Sequence, residues 1–136
     1  MTVLESARKW IKTCPLIDKA NRFNISYLGA GSAEYTLTEA SDTHRQDVCG
    51  FDLATYNLVF MANFPYGAVM AENIGAAEFF TGLSAWIRDQ DRAKNYPQVD
   101  GYEVTRVAAA NAGVIIQAGA DIALYQLQIK MDLEEE

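Results

Sequence analysis

The single histidine of the chain, His44, is the first residue whose chemistry could support a site. It stands in a polar stretch with Asp42 and Asp47, and an imidazole beside a carboxylate can act as a general base or a metal ligand. One histidine and two distant cysteines, Cys14 and Cys49, are too few soft ligands for a zinc site of ordinary spacing. A lone histidine in a polar stretch is typical of a solvated side chain, so we predict neither catalysis nor metal binding here.

The segment "GAGS" at residues 29–32 resembles a phosphate-binding loop in composition. Such a loop needs a helix directly after it, whose N-terminal amides face the phosphate, and a lysine within it. The chain continues instead as "AEYTLTE", which has the pattern of a strand and contains no lysine. We therefore predict a hairpin turn at this position.

Carboxylates are the remaining candidates for a metal or acid–base site. Asp89 and Asp91 flank Gln90, and the next acid along the chain, Asp100, lies beyond Pro97. Basic residues are interleaved with the first two acids, namely Arg88, Arg92 and Lys94. This pattern indicates the solvated end of a helix rather than a tight carboxylate cluster.

No plausible base lies near the candidate nucleophiles Ser32, Ser41 and Ser84 in the sequence. Basic residues do not alternate with aromatic residues as they do in nucleic-acid platforms. We therefore predict no catalytic residue, no metal and no cofactor. The protein is expected to work as an assembly or interaction surface rather than as an enzyme.

Composition limits the class of protein further. The chain has 136 residues, of which 50% are hydrophobic and 21% are charged, so we expect one globular domain over residues 1–136 rather than a disordered tail or a coiled coil. A net charge of −7 argues against a surface that grips phosphates or anionic lipid. The N-terminus lacks the apolar core of a signal peptide, and no stretch approaches the roughly 18 apolar residues of a membrane span. We expect a cytosolic chain without membrane contact, in which Cys14 and Cys49 are buried, reduced thiols.

Two helices are indicated by apolar residues at spacings of three and four. The first begins at a capping box formed by Thr2 and Glu5 and stops before Pro15. Its apolar stripe comprises Leu4, Ala7, Trp10, Ile11 and Cys14. The second begins near Asn73 and ends before Pro97. Its apolar face comprises Ala76, Phe79, Phe80, Leu83, Trp86 and Ile87.

Strands are predicted from alternation of apolar and polar residues. They cover residues 23–28, 34–38, 53–64, a segment from about Tyr102, and residues 123–133, whereas residues 39–50 have the composition of a polar loop. The last strand is the most regular, with one apolar row of Ala123, Tyr125, Leu127, Ile129, Met131 and Leu133. The pattern predicts an α+β domain with a mostly antiparallel sheet of about five strands and two main helices, in the order α-β-β-β-α-β-β.

Several stretches of the chain resemble, in the same order, those of a family of minor capsid proteins from siphophages of Gram-positive hosts. They are "ARKWIKTCPLI", "ISYLG", "EYTL", "YNLVFMANFPYG", "ENIGAAEFF", "AWIRDQ" and "GADIALYQLQIKM", and together they extend over essentially the whole chain. That family resembles the tail terminator proteins of long, non-contractile tails. The chain departs from the family pattern in a more charged segment before Pro97 and in its acidic last residues.

The resemblance implies a structural virion protein, made in the bacterial cytoplasm, that forms a ring at the head–tail junction. The ring, a hexamer when assembled, would end polymerisation of the major tail tube protein and join the tail to a head-completion or connector protein. DNA would pass through its lumen without specific binding. The residues expected to contact a neighbouring subunit or partner lie in two loops, and they are Asp42, His44, Asp47, Pro65, Tyr66 and Gly67. The second row of the last strand and its terminal acids are expected at a subunit boundary, at the lumen or in solvent.

Three alternatives remain open from the sequence. Another head–tail joining protein, such as a head-closure or adaptor component, would have a similar size. A small cytosolic ligand-binding or enzyme module would have a pocket near Trp86, Tyr96 and Tyr102. A partner-inhibiting protein that mimics nucleic acid would fit the net charge of −7, although it would not explain the alternating strands.

Overall fold

The two most regular alternations of the sequence form the centre of the sheet. A computed structural model of the chain describes residues 3–17, 23–25, 35–65, 70–118 and 122–135. Strand β3 (Asp52–Pro65) pairs antiparallel with β5 (Ile122–Glu135) from Leu53 to Pro65. The predicted apolar row of the last strand is confirmed, since each of its six side chains is buried.

The remaining strands extend the sheet on both sides of this pair. Strand β1 (Phe23–Ile25) and β2 (Tyr35–Gln46) lie beyond β3, and β4 (Tyr102–Ala118) lies beyond β5, which gives the order β1-β2-β3-β5-β4. The four long strands pair antiparallel with one another, whereas the three-residue β1 runs parallel to β2. The α+β class and the mainly antiparallel sheet are therefore confirmed.

Two sequence predictions about β1 and β2 are wrong. Because β1 and β2 are parallel, they are not joined as a two-stranded hairpin, although the "GAGS" residues themselves lie outside the described residues. Residues 39–46 are not a loop but continue β2 across a bulge at Ala40, and only residues 47–50 turn. The bulge interrupts the period of two, which is one reason why the alternation is hard to recognise in the sequence.

The two helices cover one face of the sheet. They are α1 (Val3–Ile11) and α2 (Met70–Ala93), and α1 ends before the predicted Cys14. The predicted stripe residues that are buried within them are Ala7, Trp10 and Ile11 of α1 and Phe80, Leu83 and Ile87 of α2. The α2 helix begins before the predicted cap at Asn73, which is therefore an interior residue of the helix. Trp10 of α1 packs on Trp86 of α2 with ring centroids 4.9 Å apart. These contacts close the core on its helical side.

Aromatic side chains connect the helices to the sheet. Phe80 of α2 stacks on Tyr125 of β5 at 5.7 Å and meets Phe60 of β3 edge-on at 6.1 Å. Tyr35 of β2 stacks on Phe60 at 5.6 Å. Such pairs stabilise a fold by about 0.5–1.5 kcal/mol each beyond the area they bury. These ring contacts join β2, β3 and β5 to α2 in the core.

Helix α2 ends in a hydrogen-bonded cap with Lys94 in the left-handed conformation, at a φ of 57°. The Asn95 amide donates to Gln90 O at 2.9 Å, and the Lys94 amide donates to Asp91 O at 3.2 Å. This is the bonding pattern of a Schellman cap, in which the residue after the helix adopts positive φ. The cap turns the chain back towards the sheet, and the Trp10 indole then donates to Asn95 O at 2.9 Å.

Candidate functional site

His44 lies on β2 with both ring nitrogens against carboxylates. Its Nε2 is 2.8 Å from Asp42 Oδ2, and its Nδ1 is 2.8 Å from Asp52 Oδ2. Asp42 precedes His44 by two residues and shares its face of the strand, while Asp52 begins the neighbouring strand β3. The predicted loop is wrong, because His44 belongs to a strand, whereas its predicted exposure is confirmed. The side chain is 43% exposed and bridges two strands.

A third strand joins this arrangement through Tyr102 at the start of β4. The Tyr102 hydroxyl donates to Asp52 Oδ2 at 2.8 Å, so the same carboxylate oxygen is bonded from two sides. Tyr56 of β3 meets the His44 ring edge-on, with centroids 5.9 Å apart. We refer to Asp42, His44, Asp52, Tyr56 and Tyr102 as the His44 cluster. It forms the polar end of the same sheet face whose apolar part packs on the helices.

The electrostatics of the His44 cluster favour an imidazolium. Hydrogen bonds to Asp52 and then Asp42 raise the pKa of His44 above its ordinary value, because both ring nitrogens donate only in the charged form. The same bond from His44, assisted by that from Tyr102, lowers the pKa of Asp52. The hydrogen bond to Asp52 raises the pKa of Tyr102, because it stabilises the protonated form of the hydroxyl. The cluster therefore suits a charge-assisted tie between strands.

Metal binding would require a different arrangement of these side chains. Both nitrogens of His44 already face a carboxylate oxygen at 2.8 Å. Within the described ranges, no group of three or more His, Cys, Asp or Glu side chains is placed to hold a metal ion. The chemistry that the geometry provides is a pH-dependent hydrogen-bond network at the surface.

The β2–β3 turn presents apolar side chains to solvent. Asp47 Oδ1 accepts hydrogen bonds from the amides of Cys49 at 2.8 Å and Phe51 at 3.0 Å, and Gly50 adopts a φ of 85° that glycine tolerates without strain. Val48 is fully exposed and Phe51 is 45% exposed. Asp47 thus shapes the turn and does not join the His44 cluster. We call residues 47–51 the hairpin tip.

Cys49 at this tip corrects one sequence prediction. Both cysteines are free thiols, but only Cys14 is buried, while Cys49 is exposed. Burial raises the pKa of the Cys14 thiol. The polar turn around Cys49 explains the difference, because residues beyond the end of a sheet have no core to enter.

The sheet face opposite the helices carries the second row of β5. This row alternates with the buried one and includes Gln126, Gln128, Lys130 and Asp132. Thr55 of β3 donates to Asp132 Oδ1 at 2.8 Å. Beside it lies a shallow apolar groove of about 420 Å³, lined by Ala40, Asn57, Val59, Ala108, Ala110, Gln128 and Lys130 among others. No described helix covers this part of the sheet.

Two of the three residues expected at a ligand pocket, Tyr96 and Tyr102, line the same depression. Trp86 packs on Trp10, whereas Tyr96 and Tyr102 line a separate depression of about 260 Å³ to which Trp86 does not contribute. A second groove of about 410 Å³ runs beside Trp10 and Pro97. Both are open surface features.

The six predicted interface residues lie in different parts of the chain. Asp42 and His44 are brought together, and Asp47 is placed five residues from Asp52 at the turn. Pro65 is the last residue of β3, while Tyr66 and Gly67 lie outside the described residues. Sequence reasoning missed Asp52, Tyr56 and Tyr102 as members of the cluster. The spacing of Asp42 and His44 by two was the one available signal, and the prediction of a loop concealed it.

Comparison of the chain with protein-family models and with curated proteins finds no match. None of the helices in the described part of the chain is long and apolar enough to cross a membrane.

Proposed function

We propose that the protein is a tail-terminator-like structural component of a siphophage virion. It forms a ring, a hexamer when assembled, at the head-proximal end of a non-contractile tail. The ring ends polymerisation of the major tail tube protein and receives a head-completion or connector protein. The resemblance of the chain to siphophage minor capsid proteins supports this proposal.

The observation that carries the proposal is the distribution of covered and uncovered surface on the sheet. Helices α1 and α2 pack on one face, while the described part of the other face carries no helix. Among the residues that the structure describes, the outer side of β2 has a neighbouring strand only at Tyr35–Leu37, where β1 pairs with it. Rings are built from contacts between two different surfaces of the same subunit. A subunit with distinct lateral surfaces and a thick helical layer on one face is suited to such an assembly.

The thick layer also favours one orientation in the ring. Elements on the outside of a ring have a larger circumference to fill, so we place the helices outward and the second row of β5 towards the lumen. That row presents amides at Gln126 and Gln128 and the acid Asp132, with Lys130 between them. Amides and carboxylates offer phosphates little electrostatic attraction. DNA would therefore pass this surface without specific binding.

Electron microscopy of lysates from an induced host prophage lacking this gene tests the proposal. Overlong headless tubes beside filled heads would support length termination. Tails of normal length that remain unattached would assign the protein to head closure instead. Virions of normal number and form would contradict both functions. Complementation with the wild-type gene is the control, since it must restore attached tails.

A variant extends this test to the hairpin tip. Because Val48 is fully exposed, Val48→Asp leaves the core untouched and places a charge on an apolar contact surface. We expect a gene carrying Val48→Asp to complement poorly, whereas Cys49→Ser at the adjacent exposed position complements fully. Full complementation by Val48→Asp would remove the hairpin tip from the proposed interface.

A further inference from the structure

The outer edge of the sheet at β4 is covered by one side chain of helix α2 and one from the segment that follows the helix. The amide of Val107 donates to Asp91 Oδ1 at 3.0 Å, and the Tyr96 hydroxyl lies 3.1 Å from Thr105 O. Thr105 is the extra residue of a β-bulge between Val104 and Arg106. The contacts with Tyr96 and Asp91 place the Thr105 carbonyl and the Val107 amide on the outer side of the strand, away from β5. These are the groups with which an additional strand would pair.

Asp91 and Tyr96 are also bonded to each other. The Tyr96 hydroxyl is 2.9 Å from Asp91 Oδ1, and the Schellman cap at Lys94 directs Tyr96 towards β4. We call Asp91 and Tyr96 the edge guard. Natural sheets commonly protect an edge strand from pairing with another chain, and side chains that occupy its polar groups serve that purpose. The predicted solvated helix end is therefore wrong for Asp91.

The opposite edge has no such cover within the described ranges. The amide of Asp47 donates to Phe51 O at 2.9 Å, which makes this pair the first rung of the β2–β3 ladder. By alternation, the backbone groups of Arg45 and Thr43 point towards β3, and those of Gln46, His44 and Asp42 point outward. Strand β1 pairs only with Tyr35–Leu37 and does not reach these residues.

The directions of the strands make the two edges compatible. Strand β2 is antiparallel to β3, β3 to β5, and β5 to β4, so β2 and β4 of one subunit run in opposite directions. A second copy placed beside the first, with its helices on the same side, therefore brings its β2 antiparallel to the first copy's β4. The same contact can repeat from copy to copy, which is the requirement for a closed ring.

We propose that the β2 edge of a second copy replaces Asp91 and Tyr96 on Thr105 and Val107, so that the edge guard keeps isolated subunits apart until assembly. This inference rests on the proposed self-assembly and names the contact by which it occurs. A backbone carbonyl of β2 would replace the Asp91 carboxylate on the Val107 amide. A backbone amide of β2 would donate to Thr105 O, which in the isolated subunit shares the single hydroxyl proton of Tyr96 with Asp91 Oδ1. At an assembled tube end, each bound subunit would then offer an exposed edge to the next subunit.

Sedimentation velocity of the purified full chain over a range of concentrations tests the proposal. The wild-type chain is expected to be monomeric, and the double variant Asp91→Ala, Tyr96→Phe is expected to associate at concentrations at least about tenfold lower. Asp89→Ala is the matched control, because Asp89 is an exposed acid two residues before Asp91 on the same helix. Circular dichroism verifies that each variant is folded.

A third substitution distinguishes edge pairing from non-specific association. Gln46→Pro removes an outward amide of β2 that the neighbouring strand needs, at an edge position where proline is tolerated. Added to the double variant, it is expected to restore the monomer. A folded double variant that stays monomeric, or association that Gln46→Pro leaves unchanged, would overturn the proposal.

Tyr96→Phe alone provides the milder variant if the double variant does not fold. It retains the bond between Asp91 and the Val107 amide and is expected to associate at concentrations between those of the wild-type and double-variant chains. Association no stronger than that of the wild-type chain would count against the edge guard. These solution results are independent of the lysate experiment, so a failure of the guard and a failure of the virion function are distinguishable.

Discussion

Tyr102 and Asp52 are hydrogen bonded across a strand that separates them. Their strands, β4 and β3, are not neighbours in the sheet, because β5 lies between them. The Tyr102 hydroxyl reaches Asp52 Oδ2 at 2.8 Å near the end of β5, where Tyr102 pairs with Glu135. This bond connects the edge strand to the β2–β3 hairpin.

We expect Tyr102→Phe to lower the melting temperature, because it removes this connection while keeping the ring in place. The bond is near the surface, so the effect is expected to be smaller than that of a core substitution. Thermal unfolding followed by circular dichroism measures it. Tyr56→Phe serves as the comparison, since the packing of that ring on His44 does not require its hydroxyl. An unchanged melting temperature in Tyr102→Phe would contradict a stabilising role.

The His44 cluster predicts a particular dependence of stability on pH. The folded-state pKa of His44 is raised above the ordinary 6.5, so its contribution is fully present below about pH 6.5 and is lost as the pH rises through the folded value. The pKa of Asp52 is lowered below 3.8, so its contribution is lost only as the pH falls through that lower value. The tie is therefore expected to stabilise the fold most in mildly acidic solution.

Comparison with His44→Gln measures this dependence. The difference in free energy of unfolding between the wild-type chain and His44→Gln is expected to be larger at about pH 5.5 than at about pH 8.5. Urea denaturation at each pH provides the values. Asp42 and Asp52 face the ring directly, while Glu39 and Glu135 act on the tyrosines of the cluster. A difference that grows towards alkaline pH would contradict the assignment of an imidazolium.

The core makes a prediction of larger magnitude. Phe60 is fully buried and contacts the rings of Tyr35 and Phe80. Phe60→Ala is expected to lower the free energy of unfolding by about 3–5 kcal/mol, since it loses apolar burial and leaves a cavity. Val48→Ala at the exposed hairpin tip should change it by no more than about 0.5 kcal/mol. Equal effects of the two substitutions in chemical denaturation would contradict the assigned core.

The two thiols are expected to differ in reactivity. Cys49 is exposed, whereas Cys14 is buried and its pKa is raised by burial, which disfavours the reactive thiolate. A chromogenic thiol reagent should therefore titrate one thiol per native chain and two after denaturation. The Cys49→Ser variant should show almost none in the native state. Two rapidly reacting thiols in the folded wild-type chain would place Cys14 outside the core.

Lys94 carries a backbone conformation that glycine adopts at lower cost. Its φ of 57° lies in the left-handed region, and the side chain is exposed. We expect Lys94→Gly to raise the free energy of unfolding by about 0.5–1 kcal/mol. Lys9→Gly, at an exposed position within α1, should instead lower it by about 1 kcal/mol. Denaturation that shows the same sign for both substitutions would contradict the cap assigned to α2.

The parts of the fold that the sequence predicts are those in which side-chain type follows directly from burial. Leu127, Ile129 and Met131 alternate with polar residues because one face of β5 packs on the helices and the other does not. The same reasoning identifies Phe80, Leu83 and Ile87 on the buried face of α2. In these elements a local period reports the environment of each residue directly.

The outer half of β2 could not be predicted in this way. Asp42 and His44 lie on the helix-facing side of this half of β2, where they belong to the polar His44 cluster. Neither face of this half of the strand is therefore hydrophobic. The bulge at Ala40 also shifts the alternation. The partners Asp52 and Tyr102 are separated from each other by 50 residues, and only the register of the sheet brings them together. The edge guard likewise depends on the direction in which the chain leaves α2.

The central position of β5 has a consequence for how the sheet is completed during synthesis. Strand β3 pairs with β2 on one side. Its other side, and the whole of β4, can pair only after residues 122–135 have been synthesised. A ribosome that has made everything up to β4 has therefore released strands that cannot yet join into one sheet. The contacts made by β5 join residues up to 81 positions apart in the chain, at the pair Leu53↔Glu134 at one end of the ladder. Such long-range pairing slows folding. We therefore expect the rate-limiting step of folding to be late, when β5 enters between β3 and β4.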